Sequence, residues 1–370
     1  MYILRNYELF AKLLVDYCTG VKSRDEVLVR ATYEAFPLVR EVYKAIVERG
    51  AYPRLVVEDE ELTEVFYRYA SRELLEYLSP IDKYIMENVN VSISIISSTH
   101  VKPLVSIDPE RFKVRSSALR PLTEIFMRRD GEGSLRWTVT LYPTRALAQE
   151  AGMSILEYED FVFKALKLHT SDPIEAWATQ GRLQSKIADM LAKISELRII
   201  DEDTDLILRV DNRIWINDDG KKNMPGGEVF TGPHEDATEG YITFTYPAIW
   251  RGYEVEGVRL VFKRGAVIEA KAIKGEEFLK KMLDVDEGAR KLGEAAFGLN
   301  YDIKKYTKQI LFDEKIGGTL HLALGASYPS SGGRNVSAIH WDMVKDMSKA
   351  KVYGDKDLIY ENGRFLLDVI

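Results

Sequence analysis

The chain has 370 residues, of which 46% are hydrophobic and 29% are charged, so it has a globular composition and enough length for two domains. Its net charge of −7 does not suggest a nucleic-acid partner, and its single cysteine, Cys18, excludes an internal disulfide framework. No apolar run is long enough to span a bilayer and the N-terminus lacks a secretory pattern, so we expect a cytoplasmic protein with no membrane partner.

The first 142 residues alternate between helix and strand patterns. Apolar residues at helical spacing predict a helix over 5–19, followed by a strand at 27–31, a helix at 36–49 and a strand at 55–58. This order predicts a parallel sheet with right-handed crossovers. The alternation continues through helices at 61–77, 80–87 and 116–130 and strands at 89–97 and 134–142. We therefore predict a doubly wound α/β domain.

A sheet of this kind often binds a nucleotide at its strand ends, which makes nucleotide binding a rival hypothesis. The loop after the first strand, Ala31–Ala35, contains no glycine, and neither a GxGxxG nor a GxxxxGK[ST] motif follows any predicted strand. A phosphate-binding loop is therefore not expected.

The pattern changes near residue 200. Predicted helices at 144–151, 155–168 and 174–194 end before the charged turn at 201–205. Short alternating strands follow, and a helix is predicted at 276–297. We predict an α/β domain over 1–200 and a β-rich α+β domain over 201–370; the strands of the second lie at 206–210, 213–217, 241–246, 255–262 and 266–274.

Two of the five histidines fall in the segment from Asp313 to Asp342. His340 precedes Asp342 by two residues, so both point to one face of an extended segment, and His321 precedes Tyr328 by seven. Imidazole and carboxylate together suit borderline divalent ions such as Zn²⁺, Co²⁺ or Mn²⁺. Because a strand histidine is more often a hydrogen-bonded structural residue, spacing alone leaves a metal site and a structural role equally open.

Two carboxylates upstream strengthen the metal hypothesis. Glu228 follows the turn Pro225–Gly227 at the start of a short apolar run, and Glu294 lies in an apolar, helix-like segment where an unpaired charge would be costly. The remaining histidines are interpreted as structural (His100), solvent-facing (His169) and peripheral to the site (His234).

Four ordered motifs resemble the thermophilic-type metalloaminopeptidases, the aminopeptidase T and aminopeptidase S group. They are PGGEVF at 225–230, GEAAFGLN at 293–300, DEKIGGTLHLALG at 313–325 and SAIHWDMV at 337–344, and with a similar N-terminal segment they extend the resemblance over nearly the whole chain. The resemblance implies a homodimer and a dinuclear site for two divalent ions (Zn, Co, Mn or Mg) with the ligands Glu228, Glu294, His321, Tyr328, His340 and Asp342.

Such a site would hydrolyse N-terminal residues from short peptides with a metal-activated water, because two ions about 3.5–4 Å apart can activate water and polarise a carbonyl together. Glu294 is our choice for the carboxylate that bridges the ions. Glu314 is a candidate general base, and Lys315 could neutralise it or stabilise an oxyanion. A solvated turn at 313–315 is an equally open interpretation.

Two alternatives use the same ligands. The chain could be another two-metal hydrolase, such as an amidohydrolase or a phosphoesterase, although those usually contain more histidine. It could also be a metal- or ligand-binding protein without catalysis, which an absence of activity on every aminoacyl substrate would favour.

Overall fold

The computed structural model describes residues 2–250 and 252–366, with side chains from Asn6 onward. The chain forms two compact units, Met1–Ile174 with Lys221–Met224, and Glu175–Gly220 with Pro225–Ile370. The first unit ends earlier than the boundary that we predicted at residue 200. The reason is that Ile187, Leu191 and their neighbours, on the long helix after Ile174, belong to the hydrophobic core of the second unit.

The α-helices and strands have the following bounds. The helices are α1 (Tyr2–Lys12), α2 (Phe36–Glu48), α3 (Glu60–Tyr69), α4 (Arg72–Glu76), α5 (Pro80–Asn88), α6 (Pro109–Gly131), α7 (Arg145–Glu150), α8 (Ile155–Ala165), α9 (Pro173–Leu191), α10 (Glu276–Leu283) and α11 (Ile310–Asp313). The strands are β1 (Glu26–Thr32), β2 (Tyr52–Glu58), β3 (Val91–Ile96), β4 (Arg136–Leu141), β5 (Glu196–Asp201), β6 (Thr204–Arg209), β7 (Ile216–Asp218), β8 (Asn223–Met224), β9 (Glu228–Thr231), β10 (Glu239–Thr243), β11 (Ala248–Trp250), β12 (Tyr253–Val255), β13 (Arg259–Lys263), β14 (Ala266–Lys271), β15 (Leu292–Gly298), β16 (Thr319–Gly325), β17 (His340–Asp346), β18 (Lys351–Gly354), β19 (Asp357–Glu361) and β20 (Arg364–Phe365).

The first unit contains a five-stranded parallel sheet in the order β2-β1-β3-β4-β8. Its strands alternate with helices along the chain, which confirms the predicted α/β fold class. The helix predicted at 61–77 is two helices, α3 and α4, because the side chain of Ser71 accepts a hydrogen bond from the backbone N–H of Leu74 and starts a new helix.

The second unit contains two larger antiparallel sheets that share one hydrophobic core. The eight-stranded sheet has the order β14-β13-β10-β6-β5-β18-β19-β20, and the five-stranded sheet has the order β17-β16-β15-β9-β7. Leu206 and Leu208 of the first sheet and Leu322 and Leu324 of the second are all buried in this core. The prediction of a β-rich second part is confirmed.

The predicted helix at 276–297 is wrong in its second half. Helix α10 ends at Leu283, a 3₁₀ turn covers Glu287–Arg290, and the chain then enters β15, in which all seven residues are buried. Strand β15 pairs with both β9 and β16. A strand buried on both faces has no alternation of polar and apolar residues, and its alanines favour a helical interpretation.

A β-bulge in β15 places the side chains of Leu292 and Glu294 on opposite faces of the sheet. Leu292 pairs with Leu324, whereas Glu294 pairs with Ala323, so Gly293 is the extra residue. In a regular strand, residues two apart point to the same face. The bulge instead directs Leu292 into the core and Glu294 to the opposite face of the sheet.

Replacement of Gly325 by alanine is expected to lower the free energy of unfolding by about 1–3 kcal/mol, because its φ is +105° and a Cβ atom would lie 2.1 Å from the carbonyl oxygen of Ile339. Gly325 also pairs with His340 across the sheet, so this histidine should be displaced. Urea unfolding of Gly325→Ala would measure the loss. The control is Gly131→Ala, where a Cβ atom meets nothing within 4 Å; equal stability of the two variants would contradict the prediction.

Candidate metal centre

Five of the six predicted ligands project from one face of the five-stranded sheet. Glu228 begins β9, Glu294 lies in β15, His321 in β16, and His340 and Asp342 in β17. Side chains of directly paired residues lie on the same face. Ala323 pairs with both Glu294 and Asp342, Ala296 pairs with His321, and Gly325 pairs with His340. These small partners leave space above the sheet for the longer polar side chains.

Glu294 lies between the two histidines. Its Oε1 atom is 3.1 Å from Nε2 of His321, and its Oε2 atom is 3.5 Å from Nε2 of His340. The Nε2 atom of His321 is also 3.5 Å from Oε2 of Glu228, and that of His340 is 3.5 Å from Oδ1 of Asp342. Each histidine thus has its own second carboxylate, and Glu294 is shared by both.

The other ring nitrogen of each histidine faces a main-chain carbonyl. The Nδ1 atom of His321 is 3.0 Å from the carbonyl oxygen of Glu314, and the Nδ1 atom of His340 is 2.7 Å from that of Ala326. Donation from N–H at Nδ1 leaves an unprotonated Nε2 in the neutral ring. This arrangement fixes the ring and the tautomer that a metal ligand needs.

Tyr328 reaches the cluster from the loop between β16 and β17. Its ring centre is 5.1 Å from that of His340, and the residue is 44% exposed. Burial of its hydroxyl, followed by the negative charges of Glu294 and Asp342, raises the pKa of Tyr328 above its usual value. Tyr328 therefore lies beside His340 with part of its surface exposed.

Several buried oxygens of the cluster have no hydrogen-bond partner among the described residues: Oε2 of Glu228, Oδ1 of Asp342 and Oδ2 of Asp218. Such atoms are rare in folded proteins, and a bound cation is one partner that satisfies them. Two groups place one donor atom per residue within 4.8 Å of each other, namely Glu228 with Glu294 and His321, and Glu314 with His321 and Asp342. This donor set of imidazole nitrogen and carboxylate oxygen fits a divalent cation.

The acidic side chains of the cluster stabilise the protonated form of both histidines, which raises the pKa of each. Burial would lower the pKa of His321, but the hydrogen bond to Glu294 and the charge of Glu228 raise it to about 9. Burial would likewise lower the pKa of His340, and Asp342 raises it to about 10. Burial raises the pKa of Glu228 well above its usual value. Since metal ligands must be deprotonated, a divalent ion would compete with these protons for the same atoms.

The sequence analysis missed Asp218 and left open whether Lys315 is buried. Asp313 and Lys315 are 1% and 0% exposed, which excludes a solvated turn at 313–315. The Nζ atom of Lys315 pairs with the carboxylate of Glu314, and it lies 3.5 Å from Oε1 of Glu228 and 3.7 Å from Oδ2 of Asp218. Asp218 was not a candidate, because an Asp-Asp-Gly segment at 218–220 has the same pattern as a solvated turn.

The other three histidines lie outside the cluster. His100 and His169 are exposed. His234 has its Nε2 atom 2.8 Å from the carbonyl oxygen of Asp211. These positions agree with the interpretation that none of the three is a ligand.

The sequence profile of the family described as thermophilic metalloprotease (M29) matches residues 4–365. The chain belongs to this family. The resemblance found in the sequence is therefore confirmed, and with it the prediction of a metal-dependent hydrolase acting on peptide bonds. Helices long and apolar enough to cross a membrane were sought among the described residues, and none was found.

Three proteins are similar to this chain over most of its length. Aminopeptidase 2 of Geobacillus stearothermophilus is 28% identical over 88% of this chain and 85% of its own. Aminopeptidase AmpS of Bacillus subtilis is 27% identical over 96% of this chain and 97% of its own. The solved structure of AmpT from Thermus thermophilus superposes with a TM-score of 0.85, at 25% identity, over 98% of this chain and 99% of that one.

A second solved structure shares the fold alone. A dihydroxypyridine dioxygenase from Pseudomonas putida superposes with a TM-score of 0.62 at 13% identity, over 98% of this chain and 96% of its own. Since one fold carries different chemistries, the function of this chain has to be argued from its site.

Proposed function

We propose that this M29 chain is an aminopeptidase that removes single residues from the N-termini of short peptides, with two divalent ions in the acidic cluster. Its relatives Aminopeptidase 2 and Aminopeptidase AmpS, both named for this activity, support the exopeptidase class. The position of Glu294 carries the proposal of two ions, because its two oxygens face two different histidines at 3.1 and 3.5 Å. A carboxylate in this position can bridge two cations and reduce their repulsion.

In this proposal the ligands are divided between two metal positions. Glu228, His321 and Oε1 of Glu294 would hold one ion. His340, Asp342 and Oε2 of Glu294 would hold the other, with the phenol oxygen of Tyr328 beside it. When bound, the two ions supply a water that is nucleophilic at neutral pH and a Lewis acid for the scissile carbonyl. Zn²⁺, Co²⁺, Mn²⁺ and Mg²⁺ are the candidates.

Glu314 is the residue that we propose as the general base. One of its oxygens groups with donor atoms of His321 and Asp342, so its carboxylate lies next to the proposed metal positions. Burial raises the pKa of Glu314 above its usual value, which makes it a better proton acceptor than a solvated glutamate. It would take a proton from the attacking water and return it to the leaving amine.

The test is hydrolysis by chelator-stripped protein of aminoacyl chromogenic substrates, each with a free and with a blocked α-amino group. We expect no activity after stripping, recovery on addition of Co²⁺, Zn²⁺ or Mn²⁺ at two equivalents per chain, and no cleavage of the blocked substrates. Cleavage of blocked and free substrates alike would contradict an exopeptidase. Recovery at one equivalent would contradict the dinuclear site.

We also propose that the chain is cytoplasmic, as its single cysteine suggests, and that it forms a homodimer, as the family resemblance implies. Sedimentation equilibrium of the purified protein tests the dimer, and a molar mass near that of one 42.3 kDa chain would contradict it.

A further inference from the structure

Lys315 is enclosed by acidic side chains next to the metal centre. It is fully buried, pairs with Glu314, and lies 3.5 Å from Glu228 and 3.7 Å from Asp218. A buried ammonium group is costly unless it is paired, so three carboxylates around one lysine form a built arrangement and not a surface contact. Lys315 is 0% exposed and pairs with Glu314, which favours the role of neutralising that carboxylate over the role in oxyanion stabilisation; both were considered in the sequence analysis.

The lysine divides the two oxygens of Glu228 between two neighbours. Oε1 faces Nζ of Lys315 at 3.5 Å, whereas Oε2 faces Nε2 of His321 at 3.5 Å and has no hydrogen-bond partner among the described residues. A carboxylate held in this way offers a single oxygen to an ion. Without the ammonium group, both oxygens of Glu228 would be free to bind it.

Lys315 also offsets part of the negative charge of the centre. The two divalent ions of the proposed function would bring four positive charges and Lys315 brings a fifth, which would match the charge of five carboxylates when all are ionised; they are Asp218, Glu228, Glu294, Glu314 and Asp342. Asp218, which is not among the proposed ligands, compensates the lysine from 3.7 Å. Buried clusters are stable when opposite charges are matched in this way.

We propose that Lys315, together with Asp218, is a positioning residue that limits Glu228 to one-oxygen coordination and holds Glu314 toward the reacting water. This inference rests on the proposed function. The lysine would act through Glu228 on the coordination of the bound ion and through Glu314 on turnover. These effects go beyond a contribution to folding.

The test compares Lys315→Met with Lys345→Met. Lys345 is a matched control, because it is 2% exposed in the same unit and pairs with Asp201 at 3.0 Å and Asp203 at 2.8 Å, outside the cluster. Stripped protein is titrated with Co²⁺ alone, and the metal stoichiometry, the visible absorption of bound cobalt, and kcat and KM are measured.

We expect Lys315→Met to bind two equivalents of Co²⁺ with an altered absorption spectrum, and to lose about 10–100-fold in kcat with KM nearly unchanged. Lys345→Met should unfold at a lower temperature but keep the wild-type spectrum and kcat per folded chain. A wild-type spectrum and kcat in Lys315→Met, or identical losses in both variants, would overturn the proposal.

Asp218→Asn keeps the test open if Lys315→Met does not fold. Without the charge of Asp218, the ammonium group interacts more strongly with Glu228 and Glu314, and these carboxylates then bind a cation less well. The affinity for Co²⁺ should therefore fall about 10-fold. Unchanged affinity would overturn the proposal. If the wild-type protein binds two Co²⁺ but cleaves no peptide, the proposed function fails while the cobalt spectrum still tests the lysine. A wild-type protein that binds no metal would overturn both.

Discussion

Glu294→Gln should lower kcat on the order of 10³-fold and reduce the bound metal from two equivalents to one. The carboxylate faces both His321 and His340, and an amide keeps its shape but cannot supply two anionic oxygens. Loss of the shared anion removes both a ligand and the charge that offsets repulsion between the ions. Metal analysis after gel filtration and single-turnover kinetics measure the two effects.

The control for this variant is Glu254→Gln, which removes a carboxylate of the same unit that pairs with Lys308 at 3.1 Å, outside the cluster. It should retain the metal content and kcat of the wild type. Two tightly bound equivalents in Glu294→Gln would show that Glu294 is not a shared ligand, and the division of residues between two positions would have to be withdrawn.

His321→Ala should lose activity below detection and bind metal at least about 100-fold more weakly. His321 is fully buried and is common to both groups of clustered donors, so its removal takes one donor from each group. Isothermal titration with Zn²⁺ measures the affinity.

His234→Ala is the matched control, because His234 contacts the carbonyl of Asp211 and lies outside the cluster. It should bind Zn²⁺ as the wild type does. Equal affinities in the two histidine variants would argue against a metal centre on this face of the sheet.

The structure brings five of the six residues that were predicted as ligands to one face of a sheet, but the secondary structure around one of them was predicted wrongly. His340 and Asp342 were predicted to share one face, because alternation within a strand places side chains two apart on the same side, and the segment is indeed a strand. His321 lies in a different strand, and only the spacing to Tyr328 and the family motif singled it out. Glu294 was recognised through its motif, yet its segment was predicted to be helical. A central strand with seven buried residues lacks the polar alternation that identifies a strand, and a bulge at Gly293 breaks the remaining periodicity.

Lys315 and Asp218 show a second limit of prediction from the sequence. Asp218 and Lys315 are separated by almost a hundred positions and are brought within 3.7 Å by strand pairing and the segment before β16. A charged residue near glycines is predicted to lie in a solvated turn, because most charged residues are exposed. Its burial depends on the tertiary structure and is not visible in the local sequence. For the same reason the sequence could not distinguish the two roles considered for Lys315, neutralisation of Glu314 and stabilisation of an oxyanion.

The hydrogen-bond acceptors behind the two histidines have a consequence for protein engineering. In many metalloenzymes a carboxylate side chain accepts this bond and can be replaced to tune the ligand. Here the acceptors are the main-chain carbonyls of Glu314 and Ala326, which no side-chain substitution removes. A substitution at either position therefore leaves this hydrogen bond in place, although one at Glu314 also removes a carboxylate of the cluster. A designer who wishes to alter the electronic character of the ligands would have to reshape the backbone or change the carboxylates in front of the rings.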